Sequence, residues 1–465
     1  MGTSRPARSL LLVAVLALGL SIVYLALTPP WQIPDEPQHY QLARLVADRG
    51  RWPVLSDVWA ATDLERQVYA SLVRNRFWEI RANRTPPPSL WADTAPDVLL
   101  PPIAAPPGYY IVAAGALRLK GSSSAEAGLY AMRLLSALLG LLELVLIWVM
   151  ARAVFPSDPW LSAAALAFVG FLPMRACMTA GANSDMMAAL AAAAALCAMV
   201  RWIAKPLTPA RGAVLGLLLA LALLTKRTTL FLLPAALLFL ILNRRAQASA
   251  ATNRPLRWWI SAGLGAMMLC APLAAWMLAR PPLLVPGQVW PYPGSAPDSL
   301  LGVRPEWLAR LFSSEAWTWS ALAGYARSMG IAFASFWGAF GWLTVPLGVG
   351  WYVALAALTA AGIAGLLRRM RREGSALAPA QVLIIGAAVL AVLLIVGAAV
   401  AQGVPQQGRY LLPAAGPIAC GLAMGWAGWL PQRKKRLLPL AVGGVLLLLN
   451  AVAWLFYMRP AFYGR

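Results

Sequence analysis

Two adjacent carboxylates, Asp35 and Glu36, directly follow the first long apolar segment of the chain. Acids are scarce in this protein, since only 17 of its 465 residues are Asp or Glu. A carboxylate at a membrane surface can remove a proton from a hydroxyl group or hold a divalent cation. Acids also complement the dipole of a first helical turn, so capping of a helix that begins near Pro37 is the alternative.

His39 is the only histidine of the chain, and it lies four residues beyond Asp35. Residues four apart share a helix face, so His39 could face the same pocket, although a single histidine is more often structural. Tyr109 and Tyr110 begin an apolar run that is too short to cross a bilayer. This run indicates an interfacial helix, with the two tyrosines either binding substrate or forming an aromatic belt.

Asp185 closes the sequence Asn183-Ser184-Asp185 at the start of another apolar run. Asn183 could simply cap that helix, which would make Asp185 a first-turn acid. Asp185 could also converge with Asp35, and the residue types leave both interpretations open. Glu143 lies near the middle of a further apolar run, where an ionisable side chain is a functional candidate. The sequence assigns no partner to it.

The composition restricts the class of protein. Of all residues, 60% are hydrophobic and 12% charged, and the mean hydropathy is +0.66. An ordinary soluble domain carries about 25% charged residues. Repeated apolar runs of about 17–25 residues are long enough to cross a bilayer. The four cysteines have no spacing typical of disulfide frameworks or metal clusters.

The net charge of +22 is concentrated at the ends of apolar runs, as in 368–372 and 433–436. This distribution is typical of cytoplasmic loops and argues against a nucleic-acid partner. With these loops inside, the sequence predicts an all-α polytopic transmembrane helical bundle of about 11 spans. The N-terminus is then cytoplasmic and the C-terminus external. The predicted spans are 9–27, 127–151, 159–175, 184–202, 211–227, 229–242, 258–279, 343–367, 380–402, 410–430 and 437–457.

We expect the chain to form a single integral membrane domain, 1–465, with two large external loops. The first, 28–126, contains amphipathic stretches that end at Gly50 and that run from Val58 to Arg81. These stretches predict interfacial helices in contact with membrane lipids, and the loop also contains the first candidate carboxylates. Its amphipathic helices would therefore support a candidate active site at the membrane surface.

The second external loop, 280–342, is rich in tryptophan and proline. Tryptophan is common at the headgroup level of membrane proteins, so this loop is expected to be interfacial. Counting two spans between Met329 and Leu367 would place the basic cluster 368–372 outside. We therefore expect only 343–367 to span the membrane and 336–342 to lie at the outer surface.

Several cations oppose the positive-inside pattern, because they lie at the external ends of predicted spans: Lys226, Arg227, Arg409, Arg133 and Arg175. A lipid phosphate or diphosphate is a natural partner, since Arg is suited to bidentate contacts with phosphate. Pairing with the acidic first loop is the alternative. The chain has no phosphate-cradling glycine-rich loop, zinc-ligand spacing or Gly-x-Ser-x-Gly motif. No cofactor is certain, a divalent cation stays open, and no metal ligands can be assigned.

These elements together resemble the GT-C superfamily of polyprenyl-phosphate-dependent glycosyltransferases. Within it the chain is similar to a bacterial family of uncharacterised, multi-spanning membrane proteins. The resemblance rests on 34–40 (PDEPQHY), 336–342 (FWGAFGW) and 407–413 (QGRYLLP). In addition, 106–110 (PPGYY) and 183–185 (NSD) are similar to elements of protein mannosyltransferases and aminoarabinose transferases.

The resemblance implies an inverting sugar transfer from a polyprenyl-phosphate donor to an envelope acceptor, on the external face of a bacterial plasma membrane. Asp35 would act as the base or orient the acceptor, and Glu36 and Asp185 would assist. External cations would stabilise the leaving phosphate as its charge develops. The implied substrate-binding residues are His39, Tyr109, Tyr110, Lys226, Arg227, Arg409 and Tyr410.

Two other functions stay open from the sequence. A transporter or flippase of polyprenyl-linked glycans would share the spans and the cations but requires polar residues deep in several helices. A non-catalytic subunit of an envelope-polymer assembly would need no mutual geometry among the external carboxylates. Convergence of Asp35, Asp185 and Lys226 favours the enzyme, whereas a polar path through the bundle favours transport. Protein partners cannot be assigned from the sequence.

Overall fold

The computed structural model describes residues 4–88, 101–121, 124–248, 255–279, 309–310, 313, 318–373, 377–403 and 405–464. These residues are almost entirely helical. The first helices are α1 (Ser4–Leu27), α2 (Glu36–Arg49), α3 (Leu55–Trp59), α4 (Thr62–Arg74), α5 (Phe77–Ala82), α6 (Gly108–Lys120), α7 (Ala125–Val154), α8 (Pro159–Phe171), α9 (Pro173–Thr179) and α10 (Asp185–Trp202).

The second half of the chain continues in the same way. Its α-helices are α11 (Pro209–Leu223), α12 (Leu232–Ala248), α13 (Pro255–Ala279), α14 (Trp319–Gly338), α15 (Val349–Glu373), α16 (Pro379–Gln402), α17 (Ala415–Ala427), α18 (Leu438–Val452) and α19 (Arg459–Tyr463). Short 3₁₀ segments cover Arg227–Thr229, Gly408–Ala414 and Gln432–Leu437, and a π-helical turn covers Ala453–Met458. Two short strands, β1 (Ala339–Phe340) and β2 (Val345–Pro346), pair antiparallel.

The described residues contain nine helices that are long and apolar enough to cross a membrane, or ten with the bent pair α8–α9. Helices α8 and α9 meet at 58°, because Leu172 is extended and Pro173 lacks the N–H that would continue the helix. The predicted span 211–227 corresponds to α11, which is only 15 residues long. The predicted polytopic all-α bundle is therefore confirmed, and one predicted span is shorter than a usual crossing.

The outside of the bundle is apolar. Leu11, Val353 and Leu440 are 65%, 63% and 71% exposed, although each lies on a helix long enough to cross the bilayer. Side chains of this kind contact lipid in a membrane, where every backbone polar group must be bonded within its own helix. The exposure of these apolar side chains is therefore expected for a polytopic membrane protein.

Small residues allow pairs of these helices to pack closely. A Cβ added to Gly216 of α11 would lie 2.0 Å from the carbonyl oxygen of Gly265 in α13. A Cβ added to Gly425 of α17 would lie 1.8 Å from the carbonyl oxygen of Gly362 in α15. Close backbone approach through glycine is common between membrane helices, where apolar burial alone does not drive association.

The first loop packs as a second core on the end of the bundle. Its buried aromatic side chains include Trp31, Tyr40, Phe77 and Trp78. The first predicted amphipathic stretch is α2, which ends at Gly50 in a left-handed conformation (φ 67°). The second is divided into α3, α4 and α5, with Arg76 also left-handed (φ 55°) between α4 and α5. The loop is therefore a set of packed helices.

Residues 336–342 belong in part to the core of the bundle. Trp337 and Phe340 are 1% and 0% exposed, because they pack into the main core of the bundle, with the Trp337 ring centroid 5.6 Å from that of Phe168. This segment ends α14 and forms β1, so it is part of the folded body and not a surface loop. Several tryptophans of the predicted second loop, Trp290, Trp307 and Trp317, lie outside the described residues.

Candidate active site

Asp35 stands at the N-cap position of α2 in a left-handed conformation (φ 66°, ψ 7°). Its side chain makes no capping hydrogen bond, so capping does not occupy this carboxylate. The carboxylate instead accepts a hydrogen bond from Nη2 of Arg409. The Asp35 side chain is 26% exposed, whereas that of Arg409 is 2% exposed. Asp35 therefore lies at the opening of the site and Arg409 below it.

Arg409 is held by the 3₁₀ segment Gly408–Ala414. The N–H of Gly408 donates to the hydroxyl of Ser335 on α14 at 2.7 Å. A Cβ at position 408 would lie 2.0 Å from the carbonyl oxygen of Ala332 and 2.1 Å from the nitrogen of Phe336. Only glycine permits this approach, and the approach fixes the start of the segment that presents Arg409.

We expect Gly408→Ala to move this segment away from α14, because both contacted atoms belong to the backbone and cannot turn aside. The cost is expected to be about 1–3 kcal/mol or more, as for other overpacked positions. Gly397→Ala on α16 is the control, since nothing lies within 4 Å of a Cβ there. Melting temperatures in detergent should fall for the first variant and stay level or rise for the second. Equal melting temperatures would contradict this account of the glycine.

Asp185 and Lys226 form the other half of the site. Asp185 is the first residue of α10, and Nζ of Lys226 lies 2.7 Å from its Oδ1. Asn183 caps this helix by accepting from the N–H groups of Asp185 at 3.0 Å and Met186 at 3.3 Å. Both interpretations of the 183–185 sequence are thus realised together: Asn183 caps the helix and Asp185 faces the cations.

The two halves meet between Asp185 and Arg409. Nη1 of Arg409 lies 3.9 Å from Oδ2 of Asp185, which is within ion-pair range but too far for a hydrogen bond. Oδ2 of Asp185 and both Nε and Nη1 of Arg409 are buried without a hydrogen-bond partner. Buried polar atoms are normally bonded, and orphaned ones require an explanation such as a bound ligand or water. These atoms mark a place for a polar group that bridges them.

Tyr410 lies beside both cations. Nζ of Lys226 is 5.3 Å and Cζ of Arg409 is 5.4 Å from the centre of its ring. The negative face of an aromatic ring attracts cations at such distances. Arg227, the next residue after Lys226, begins the 3₁₀ turn and is half-buried. The structure therefore brings Asp35, Asp185, Lys226, Arg409 and Tyr410 together, with Arg227 adjacent in the chain.

The charges of the site alter the pKa values of its groups. Burial alone would raise the pKa of Asp35, but the nearby Arg409 guanidinium outweighs it and holds that pKa below its usual value. Burial lowers the pKa of Lys226, and the Asp185 carboxylate opposes this effect. Asp35 is thus an ionised carboxylate at neutral pH.

His39 lies on α2 one turn beyond Asp35, and its Nδ1 is 2.9 Å from the hydroxyl of Tyr110. The ring of Tyr109 meets that of His39 edge-on, with 5.8 Å between centroids. Burial lowers the pKa of His39 to about 4, although the Asp35 carboxylate opposes this shift. His39 is therefore neutral at physiological pH and joins the site to α6.

This depressed pKa gives a stability that depends on pH. Between pH 6.5 and pH 4 the unfolded chain protonates His39 and the folded chain does not, so stability falls as pH falls. The contribution at stake is at most about 3 kcal/mol, at about 1.4 kcal/mol per unit of pKa. Melting temperatures of wild type and His39→Gln across this window should converge as pH falls. Parallel curves would remove His39 from this role.

Glu36 lies beside Asp35 but faces the interior. Its carboxylate accepts hydrogen bonds from Nε of Arg133 at 2.7 Å and Nη2 of Arg133 at 2.8 Å. It also accepts one from the N–H of Ala182 at 3.1 Å. Both charged side chains are 0% exposed. Arg133 also donates to the carbonyl oxygens of Thr28 at 2.9 Å and Pro29 at 3.0 Å. This network ties α7 to the chain segments on both sides of the candidate site.

Glu143 has a partner that the sequence did not indicate. Nε of Arg175, on α9, donates to its carboxylate at 2.9 Å, and Nη2 of Arg175 donates to the carbonyl oxygen of Gly140 at 2.7 Å. Arg133 and Arg175 are therefore both occupied by buried acids and not by the candidate site. The sequence offered lipid phosphate or the acidic first loop as partners, and the packing selects Glu36 for Arg133 and Glu143 for Arg175.

The carboxylates of the site do not fit a divalent-cation site. In the described part of the chain, no three His, Cys, Asp or Glu side chains converge as metal ligands do. Asp35 and Asp185 face Arg409 and Lys226 instead. The site therefore suits an anion held by Lys226 and Arg409.

The fold and this site define a polytopic helical membrane protein with charged residues clustered at the ends of its spans. The chain belongs to the family described as predicted membrane protein (DUF2142), whose family model matches residues 18–416. No curated protein matches it.

The chain is similar to several solved structures. For the Saccharomyces cerevisiae protein O-mannosyltransferase Pmt1–Pmt2 complex bound to the sugar donor, the TM-score is 0.41 at 16% identity, over 60% of this chain and 34% of that one. For the oligosaccharyltransferase AglB of Archaeoglobus fulgidus with an inhibitory peptide and a dolichol-phosphate, it is 0.47 at 13% identity, over 97% and 55%.

ArnT from Cupriavidus metallidurans bound to undecaprenyl phosphate gives a TM-score of 0.36 at 16% identity, over 94% of this chain and 77% of that one. The chain spans 34% of the Pmt chain and 55% of the AglB chain. The activity of this chain has to follow from its own residues.

Proposed function

We propose that the protein is a membrane glycosyltransferase that moves a sugar from a polyprenyl-phosphate donor to an acceptor of the cell envelope. Its site would face the external side of a bacterial plasma membrane, with the basic loops in the cytoplasm. The observation that carries this proposal is the convergence of Asp35 and Asp185 with Lys226 and Arg409. A partly exposed carboxylate above two cations suits transfer to a hydroxyl from a phosphate-linked sugar.

The donor phosphate would bind between the cations. Nε and Nη1 of Arg409 have no hydrogen-bond partner, and Lys226 retains some access at 18% exposure of its side chain. Arg presents a fork of N–H groups that matches two phosphate oxygens, and Lys adds a compact charge. Asp185 would keep both cations in place. Tyr410 would stabilise their charge when the site is empty.

The reaction would be a single displacement at the anomeric carbon. The acceptor oxygen forms a bond to the anomeric carbon, while the bond between this carbon and the phosphate oxygen breaks. The acceptor proton passes to the Asp35 carboxylate, and the bonding electron pair leaves with polyprenyl phosphate. The phosphate oxygen leaves from the face opposite to the attacking acceptor oxygen, so the configuration of the anomeric carbon inverts. Preorganised cations stabilise such a leaving group because negative charge develops on it.

Donor binding would also change the basicity of Asp35. In the structure, Arg409 pairs with the Asp35 carboxylate and keeps its pKa low. A phosphate that takes hydrogen bonds from Arg409 would compete with this pair and raise the proton affinity of Asp35. The base would thus strengthen when the leaving group is in place. Glu36, already bonded to Arg133, would act as a positioning residue for this turn.

The roles of the aromatic residues follow from their contacts. Tyr110 and Tyr109 surround His39 on the side of α6, and His39 follows Asp35 by one turn. We assign these three residues to the acceptor side of the site, since the cations occupy the other side. A neutral imidazole can accept or donate a hydrogen bond to a sugar hydroxyl without adding charge.

The test is sugar transfer in membranes that overexpress the protein, with labelled polyprenyl-phosphate sugars and native envelope acceptors. Transfer above the level of membranes without the protein is the expected result. Label that crosses the membrane while still linked to its lipid would favour the transporter. Absence of both reactions over a broad donor panel, with folded protein, would contradict the proposed enzyme.

A further inference from the structure

A cavity of about 560 Å³ lies at the end of the bundle away from the candidate active site. Arg409 is the second residue of the apolar segment Gly408–Ala427, and Ala427, its last residue, lines this cavity. A helix of this length extends about 30 Å, the thickness of the hydrocarbon core of a bilayer. The cavity and the candidate active site are therefore on opposite membrane surfaces.

The cavity is strongly basic. Its lining includes Arg368, Arg369 and Arg372 at the end of α15, and Lys435 in the 3₁₀ segment Gln432–Leu437. Asp158 is the one acid in this lining, among the residues described. Arg368, Arg372 and Lys435 thus bring positive charge from two chain segments to one cavity.

The Asp158 carboxylate is engaged by its own helix. Its Oδ1 accepts hydrogen bonds from the N–H groups of Trp160 at 3.1 Å and Leu161 at 3.3 Å, so it caps α8. Among the described side chains, neither Arg372 nor Lys435 is part of an ion pair. Both cations are therefore open to an anion from outside the chain.

The position of the cavity matches the headgroup level of a membrane. Cζ of Arg368 lies 5.0 Å from the ring centre of Trp429, and Trp is enriched at the boundary between lipid and water. The cavity lies where α7, α15 and α17 end and where α8 and α16 begin. Basic pockets between membrane helices at this depth are suited to anionic lipid headgroups.

We propose that this cavity binds the phosphate of an anionic phospholipid, held by Arg368, Arg372 and Lys435. Arginine suits two phosphate oxygens at once, and cations from two chain segments would then be tied by one ligand. The ligand would connect the end of α15 to the segment before α18, so it would stabilise the folded bundle. This site is independent of the proposed transfer reaction.

The experiment uses the purified full chain in detergent, with phosphatidylglycerol, phosphatidylcholine and inorganic phosphate as separate probes. Native mass spectrometry counts retained lipid, and the melting temperature reports stabilisation. The test variant is R372Q/K435Q. The matched control is R371Q/K434Q, which removes the same charge from neighbouring residues that do not line the cavity.

Wild type should retain phosphatidylglycerol and melt at a higher temperature with it, but not with phosphatidylcholine. R372Q/K435Q should bind it about 30-fold more weakly, since each cation contributes roughly a factor of five, and the control should match wild type. If inorganic phosphate alone stabilises wild type, and R372Q/K435Q loses this stabilisation, the ligand is a free phosphate. This result would overturn the proposal of a lipid ligand. Equal losses in both variants, or no preference for phosphatidylglycerol, would overturn the site. A test variant whose lipid-free melting temperature matches wild type excludes misfolding as the cause.

Discussion

Asp35→Asn is expected to reduce sugar transfer by about 10²–10⁴-fold, the usual contribution of a general base. Asn is well suited to this position, because it tolerates the left-handed conformation that Asp35 adopts at φ 66°. Its amide oxygen can still accept the hydrogen bond from Arg409, whereas it cannot take a proton from an acceptor hydroxyl. Labelled transfer in membranes at matched expression would measure this loss.

Asp48→Asn provides the control on the same helix. Asp48 pairs with Arg44 at 3.0 Å, and its side chain is 47% exposed, so its replacement should leave transfer unchanged. Equal transfer by wild type and Asp35→Asn would remove this carboxylate from the mechanism. A parallel loss in Asp48→Asn would indicate that the assay responds to the helix and not to the site.

The second large effect concerns stability. Arg133→Gln should destabilise the protein by about 3–5 kcal/mol, because it leaves the Glu36 carboxylate buried without a counter-charge. Glu36 and Arg133 are both 0% exposed, and the guanidinium also bonds the backbone at Thr28 and Pro29. Melting temperature in detergent is the measurement. The double variant E36Q/R133Q should recover part of the loss, since no charge is then stranded.

An exposed ion pair gives the contrast. Arg76 and Glu79 approach to 2.6 Å, but their side chains are 60% and 52% exposed. Exposed pairs contribute about 0–1 kcal/mol, so Arg76→Gln should change the melting temperature little. If Arg133→Gln lowered the melting temperature as little as Arg76→Gln, the Glu36–Arg133 network would not stabilise the protein as the geometry indicates.

The spans were largely predictable, because a bilayer demands long apolar segments and cytoplasmic loops collect cations. The division of 58–81 into three helices and the bend between α8 and α9 depend on single residues such as Arg76 and Pro173. Burial of Trp337 was not predictable, since tryptophan is frequent both at interfaces and in cores.

The candidate site was predictable as a set of residues but not as a set of pairs. Asp35 and Arg409 are 374 residues apart, and Glu36 and Arg133 are 97 apart. Sequence alone placed all four near one end of the bundle, where either acid could meet either cation. The packing of α2 against α6 and α7 decides that Glu36 is enclosed and that Asp35 reaches the opening. Ser335, which anchors Gly408, carried no sequence signal.

The left-handed backbone at Asp35 restricts which residue types position 35 can tolerate. Glycine, asparagine and aspartate adopt the left-handed conformation readily, whereas glutamate would keep the negative charge but strain the backbone. Glutamate is therefore not a conservative replacement at this position. In a scan of all substitutions at position 35, we expect normal protein abundance with asparagine. We expect full sugar transfer only with aspartate. Aspartate is the one residue type that satisfies the shape of the chain and the chemistry together.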